Sequence, residues 1–191
     1  MRRALSICAL VLSACLLVRP AVAQDYGKKA EALKPAPSLS QAILEQWNEI
    51  GRKLVAMAED FPEAKYDYKP HPDSRTFVAN LLHVSASMYY FTDAVQGREA
   101  RYGDDPKRDQ LKTKAQVVAF VKKSVEDGAN LIKAKGDAGM ATVIRYPGTN
   151  EQHRLSEIAY NTIEHSGEHY GQLVVYYRIN GLVPPESRPK K

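Results

Sequence analysis

Four separate stretches of this chain carry apolar side chains at alternating steps of three and four residues, and that spacing limits the fold more than any other feature. Such steps follow the 3.6-residue turn, so each stretch reads as an amphipathic helix with one face to bury. The first runs Ile43, Trp47, Ile50, Leu54, Met57, and the second Phe77, Leu81, Val84, Met88, Phe91. The third uses Val117, Phe120, Val121, Val125, Leu131 and Ile132. The fourth reads Leu155, Ile158, Thr162, His165, His169, Gln172, Tyr176, Ile179.

The punctuation between the stretches agrees with four helices. Ser38 with Gln41 and Thr113 with Gln116 have the spacing of capping boxes, which satisfy the free N–H groups at a helix start. Phe61-Pro62 ends the first helix, Gly97 the second and Gly136 the third, while Gly181 followed by Pro184-Pro185 closes the fourth. The segment 62–75, with Pro62, Pro70 and Pro72, reads as an extended connection that offers Tyr66 and Tyr68 as cover for the core. Residues 97–112 read as a polar loop, and Met140 to Tyr146 as a short extended piece before a Pro147-Gly148 turn. Helices of about 20–26 residues are about 30–39 Å long, and an all-α four-helix bundle is the simplest way to bury four such stripes together. The long connections after the first and second helices point to crossover topology.

Composition narrows the chemistry. Cys8 and Cys15 are the two cysteines of 191 residues, so disulfide scaffolds, iron–sulfur clusters, c-type haem and cysteine-based zinc sites are excluded beyond residue 15. Both fall in a segment that reads as an export signal over 1–23: basic Arg2-Arg3, an apolar run from Ala4 to Val18, and Ala21-Val22-Ala23 before Gln24. A lipoprotein box, Leu12-Ser13-Ala14-Cys15, is the competing reading of the same segment. Either way the expectation is an exported protein, periplasmic or secreted, without a stable transmembrane span. Residues 24–37 then form a loose leader, 38–188 the helical domain and 189–191 a basic tail. The formal charge of +5 falls to +2 without residues 1–23, because Arg2, Arg3 and Arg19 leave and no acid does. A near-neutral body gives no case for nucleic-acid binding. The expected partner is a small-molecule substrate, and a homodimer is compatible with the pattern.

The anomaly is histidine within the fourth stripe. Burying an imidazole without a partner costs about 1–3 kcal/mol, yet His165 and His169 occupy mid-stripe positions. Four residues apart on one helix, they stand on one face about 6 Å apart along the axis, close enough to share a cation. His83, at the margin of the second stripe, is the third candidate. On the residues alone the pair stays open between hydrogen-bonded core side chains and metal ligands. His71 and His153 read as solvated loop residues. Glu168 reads either as surface charge or as an acceptor or proton shuttle beside a ligand. Tyr90, two turns after His83, is a candidate for handling protons.

His83, followed far downstream by Glu164-His165-Ser166-Gly167-Glu168-His169-Tyr170-Gly171-Gln172-Leu173 and by the ending Tyr177 to Arg188, resembles the DinB/YfiT family of metal-binding four-helix bundles. The resemblance covers about residues 38–188. It implies one divalent metal ion, zinc foremost with nickel or iron admissible, held by His83, His165 and His169. Some relatives are thiol transferases or isomerases that use cytosolic thiols, whereas this chain carries an export signal.

Other bundle chemistries fail against the letters. The residues three before the five histidines are Tyr68, Asn80, Asn150, Thr162 and Ser166, so no Glu-x-x-His pair for a di-iron site exists. No histidine precedes a glutamate, which removes the H-E-x-x-H zincins, and no G-x-S-x-G nucleophile occurs. Three functions remain: a metal-dependent hydrolase or transferase, a non-catalytic metal-binding or scavenging protein, and a structural bundle. An open coordination position beside a pocket separates the first from the second.

Overall fold

The computed structural model describes residues 34–146 and 148–189. The segment expected to be an export signal, with the competing lipoprotein box at Cys15, lies outside the described residues. The helical unit begins at Ala36. Its helices are α1 (Leu39–Asp60), α2 (Phe77–Val95), α3 (Lys114–Met140) and α4 (Leu155–Ile179), with single 3-10 turns at Glu63–Lys65 and Pro185–Ser187. Both expected capping boxes form, with Ser38 and Gln41 closing the start of α1 and Thr113 and Gln116 that of α3. Among the described residues no helix is long and apolar enough to cross a membrane.

The four helices make a bundle in which α1 and α2 each pack on both α3 and α4. Neighbours around the bundle therefore run α1, α3, α2, α4. The connections from α1 to α2 and from α3 to α4 cross its diagonal; of the two long linkers the first therefore crosses as expected, while that from α2 to α3 joins neighbours. The most extensive packing is between α1 and α3. Trp47 is fully buried and donates its Nε1–H to the Val125 carbonyl at 2.9 Å. A Cβ on Gly128 would sit 1.9 Å from Trp47 Cζ2, so only glycine fits beneath the indole. The expected core positions Trp47, Ile50, Leu54, Phe77, Leu81, Val84, Val121, Ile158 and Tyr176 are buried, and Val125 packs partly buried against them.

Three departures from the sequence expectation have physical causes. First, α3 does not stop at Gly136. That residue takes φ 58°, which breaks the helix locally, and one more turn follows to Met140. In that turn the Asp137 carboxylate accepts from Ser38 Oγ (2.9 Å) and the Ser40 N–H (2.8 Å), tying the end of α3 to the start of α1. Second, the extended piece pairs with a strand that the polar sequence did not announce: β1 (Val143–Arg145) lies antiparallel to β2 (Gln152–Arg154), with Ile144 opposite His153. The Leu155 N–H donates to the Thr142 carbonyl and closes the hairpin onto α4.

Third, the buried face of α4 is broader than one stripe. Gln172 and Ile179 are exposed, whereas Ala159, Ser166, Leu173 and Tyr177 are buried. α4 packs against both α1 and α2, and a heptad-like reading drifts off the core side of a 3.6-residue helix. α2 is buried nearly all round because residues 97–112 lie over it beside α3: Tyr102 of that loop and Phe120 of α3 pack tilted against Tyr89, and Arg101 grips the buried Asp93.

Candidate metal centre

His83 comes from α2, and His165 and His169 from consecutive turns of α4. One ligand-capable nitrogen from each ring lies within 4.8 Å of the other two. The ring centroids stand 4.5–5.2 Å apart, and the planes cross at 67–75°, three edges turned about a common point. His169 is buried at 4% exposure, while His83 and His165 are half-buried.

The outer nitrogens explain how the rings are held. His83 Nδ1 lies 2.9 Å from both carboxylate oxygens of Asp105, and Arg75 Nη2 stands 3.3 Å from that nitrogen and 3.6 Å from Asp105. His169 Nδ1 lies 2.5 Å from Asn80 Oδ1, whose amide donates to Gln172 Oε1 at 3.1 Å. An acceptor at Nδ1 calls for the Nδ1–H tautomer, which leaves the Nε2 lone pair for a ligand. For His165 the Glu168 carboxylate comes only to 3.9 Å of Nδ1, beyond hydrogen-bonding range, with Glu168 itself 61% exposed.

Electrostatics favours the neutral form of the two α4 rings. Burial first, then the neighbouring His165 and His83, holds the His169 pKa down at about 4, although a contact from Gln172 works the other way. Burial and His83 likewise lower that of His165. Neutral imidazole is the form that binds a metal. Three imidazole nitrogens on two packed helices fit a divalent ion. At bonds of about 2.1 Å, two nitrogens on a tetrahedral ion lie about 3.4 Å apart, so ring shifts of about an ångström complete the set.

Beside His83 and His165 opens a pocket of about 400 Å³, walled by Tyr90, Tyr102, Tyr146 and Asn161. Burial raises the Tyr90 pKa, with Tyr146 adding to it through its nearby ring and a hydrogen bond. Asp105 and Tyr102 reach this pocket on the loop after α2, which the Arg101–Asp93 pair fixes at its start. Burial alone would raise the Asp93 pKa, but its bonds to Arg101 outweigh that and hold it below the usual range.

A family model described as the DinB superfamily matches residues 46–173, which includes all three histidines. This chain belongs to the DinB superfamily. Its fold is similar to that of a DinB-like protein from Bacillus cereus, with a TM-score of 0.63 at 16% identity over 75% of this chain and 93% of that one. It is also similar to the DinB-like protein YjoA of Bacillus subtilis, with a TM-score of 0.62 at 17% identity over 78% and 99% of the two chains. No curated protein matches this chain.

For a DinB-superfamily chain the histidine spacing was the readable part of the site, and the surroundings were not. Asn80 sits one turn before His83 on the same helix face, a spacing that could have marked it. Asp105, Arg75 and Tyr146 lie in loops or beside a hairpin, where no periodicity points inward. His71 and His153 stand apart from the cluster: His71 is exposed beside Asp73, and His153 is held by Glu151 (3.2 Å) and Glu157 (3.7 Å).

Proposed function

We propose that His83, His165 and His169 hold one divalent metal ion, zinc foremost with nickel or iron also admissible, and that the protein is a metal-dependent hydrolase or transferase of a small molecule. The observation that carries this reading is the convergence of three ring nitrogens within 4.8 Å at the edge of a 400 Å³ pocket. A scavenger needs no such cavity, and a structural cluster gains nothing from one buried and two half-buried imidazoles whose lone pairs face one another. When bound, the ion supplies Lewis acidity and lowers the pKa of a coordinated water toward about 7.

The chain's own groups have separable roles. Asp105 and Asn80 orient His83 and His169 and hold their Nδ1 protons. Tyr90, kept protonated by burial, donates a hydrogen bond from the pocket wall to a substrate oxygen. Glu168, exposed next to His165, relays protons between the site and solvent. Export through residues 1–23 places this chemistry outside the cytoplasm, where a small molecule rather than nucleic acid is the partner, and two copies can associate as a homodimer.

The test is stoichiometry. After loading with zinc and desalting, the wild type retains about one ion per chain and His165→Ala or His169→Ala retains none, while His71→Ala and His153→Ala bind as the wild type does. A screen of ester, amide and thiol substrates on the loaded protein then distinguishes an enzyme from a metal carrier. A wild-type protein that keeps no zinc, nickel or iron returns the three rings to hydrogen-bonded core residues and removes the enzymatic reading.

A further inference from the structure

The pocket beside His83 and His165 does not end in bulk protein. Tyr146 forms part of its wall and also part of the wall of a second hollow, about 670 Å³, between the end of α2 and the β1–β2 hairpin. That hollow is lined by the apolar side chains of Ala94, Val95 and Ile144 together with the polar Gln96, Arg98, Glu99 and Arg145. The Tyr146 ring stands 5.9 Å from that of Tyr90 and 5.1 Å from that of His153. Its backbone is fixed as well: its N–H donates to the Glu151 carbonyl at 2.8 Å, and its carbonyl accepts from the Thr149 N–H and hydroxyl at 3.1 Å.

We propose that Tyr146 is the specificity-determining residue that sets ligand length. Its ring divides the compartment at the histidines from the hollow behind it, whose apolar lining is Ala94, Val95 and Ile144. The site therefore takes a compact molecule, a metal-binding polar head with at most a short apolar tail. This inference rests on the metal reading. The hairpin, absent from the sequence expectation, thus acquires a role: it delivers one aromatic ring to the boundary between two cavities.

Alkyl hydroxamates binding to the Co(II)-loaded protein, followed by the visible d–d spectrum and by calorimetry, provide the test. Wild type binds octanohydroxamate no more tightly than acetohydroxamate. In Tyr146→Ala the preference for the long chain rises at least about tenfold, since burying two methylenes suffices for that. Tyr146→Leu, which keeps apolar packing with a shorter reach, shifts it in the same direction by less, and covers the case of an Ala variant that does not fold. Tyr146→Phe keeps the wild-type ratio, because the wall is the ring and not the hydroxyl. Adding Ile144→Asp to Tyr146→Ala cancels the gain by replacing an apolar contact of the alkyl tail with a carboxylate. A long-to-short ratio unchanged in both Ala and Leu variants, or a wild type that already favours the long chain, overturns the inference and leaves the metal reading intact. Absence of Co(II) bands in the wild type instead overturns the metal reading and this inference with it.

Discussion

α4 contributes to two buried regions that solve the same problem differently. At its C-terminal end Tyr177 is fully buried among Phe61 and Phe77, with ring centroids at 4.9 and 6.2 Å, and Phe61 stacks on Phe77 at 3.8 Å. Every polar tip there finds a partner in the chain: the Tyr177 hydroxyl donates to the Met57 carbonyl at 3.1 Å, that of Tyr66 to the Ala58 carbonyl and that of Tyr176 to the Arg75 carbonyl. Two to three turns earlier, His165 and His169 turn toward His83, and among the described residues the chain supplies acceptors within hydrogen-bonding distance for the outer nitrogens of His83 and His169 only. The aromatic end is complete in itself, while the histidine region is a set of bases facing one another. Burial that ends in hydrogen bonds builds stability, and burial that ends in converging lone pairs builds a binding site.

The largest effect that would sharpen this contrast is expected at the aromatic end. Phe77→Ala should lower unfolding free energy by about 3–5 kcal/mol, equally with and without metal, in urea titrations. If the loss depended on metal, the two regions would not be independent.

Metal should act only on the histidine region. Zinc at about a thousandfold its dissociation constant stabilises the wild type by about 4 kcal/mol, and His169→Ala should lose that increment entirely. Equal melting curves with zinc and with chelator in the wild type would break the comparison.

Acid without metal comes next. The His169 pKa lies at about 4 in the fold, below the ordinary 6.5, so the unfolded chain takes up the proton first as pH falls. Stability is then full above about pH 6.5 and declines toward pH 4, by about 3 kcal/mol at 1.36 kcal/mol per pKa unit. His169→Gln should flatten that slope in chelator, and a slope identical to that of the wild type would assign the loss to carboxylates such as Asp60 and Asp93. Loaded with metal, the wild type should release it over the same acid range.

Smaller still is the loss of a supporting acceptor. Asn80→Ala or Asp105→Ala should weaken zinc binding about 10- to 100-fold without abolishing it. Changing the exposed His71 to alanine should alter stability by no more than about 0.5 kcal/mol and leave metal content untouched.

The amino-acid sequence by itself determined the four helices, their caps and most of the core, because periodicity and capping are local and repeat every turn. Trp47, Phe77 and Leu81 were readable as core from their neighbours in sequence, and the i, i+4 pair His165 and His169 was readable for the same reason. Only the tertiary structure decided the rest. It rotated the buried face of α4 to take in Ser166, Leu173 and Tyr177, since two packing partners widen a buried arc. It also paired a polar strand at Gln152–Arg154 with Val143–Arg145. Above all, it brought His83 to within one ion's reach of residues more than eighty positions away, with Asp105 from a loop and Tyr146 from a hairpin beside it. These are contacts between segments with no common period, so nothing in local spacing encodes them; they exist because bundle packing places α2 against α4.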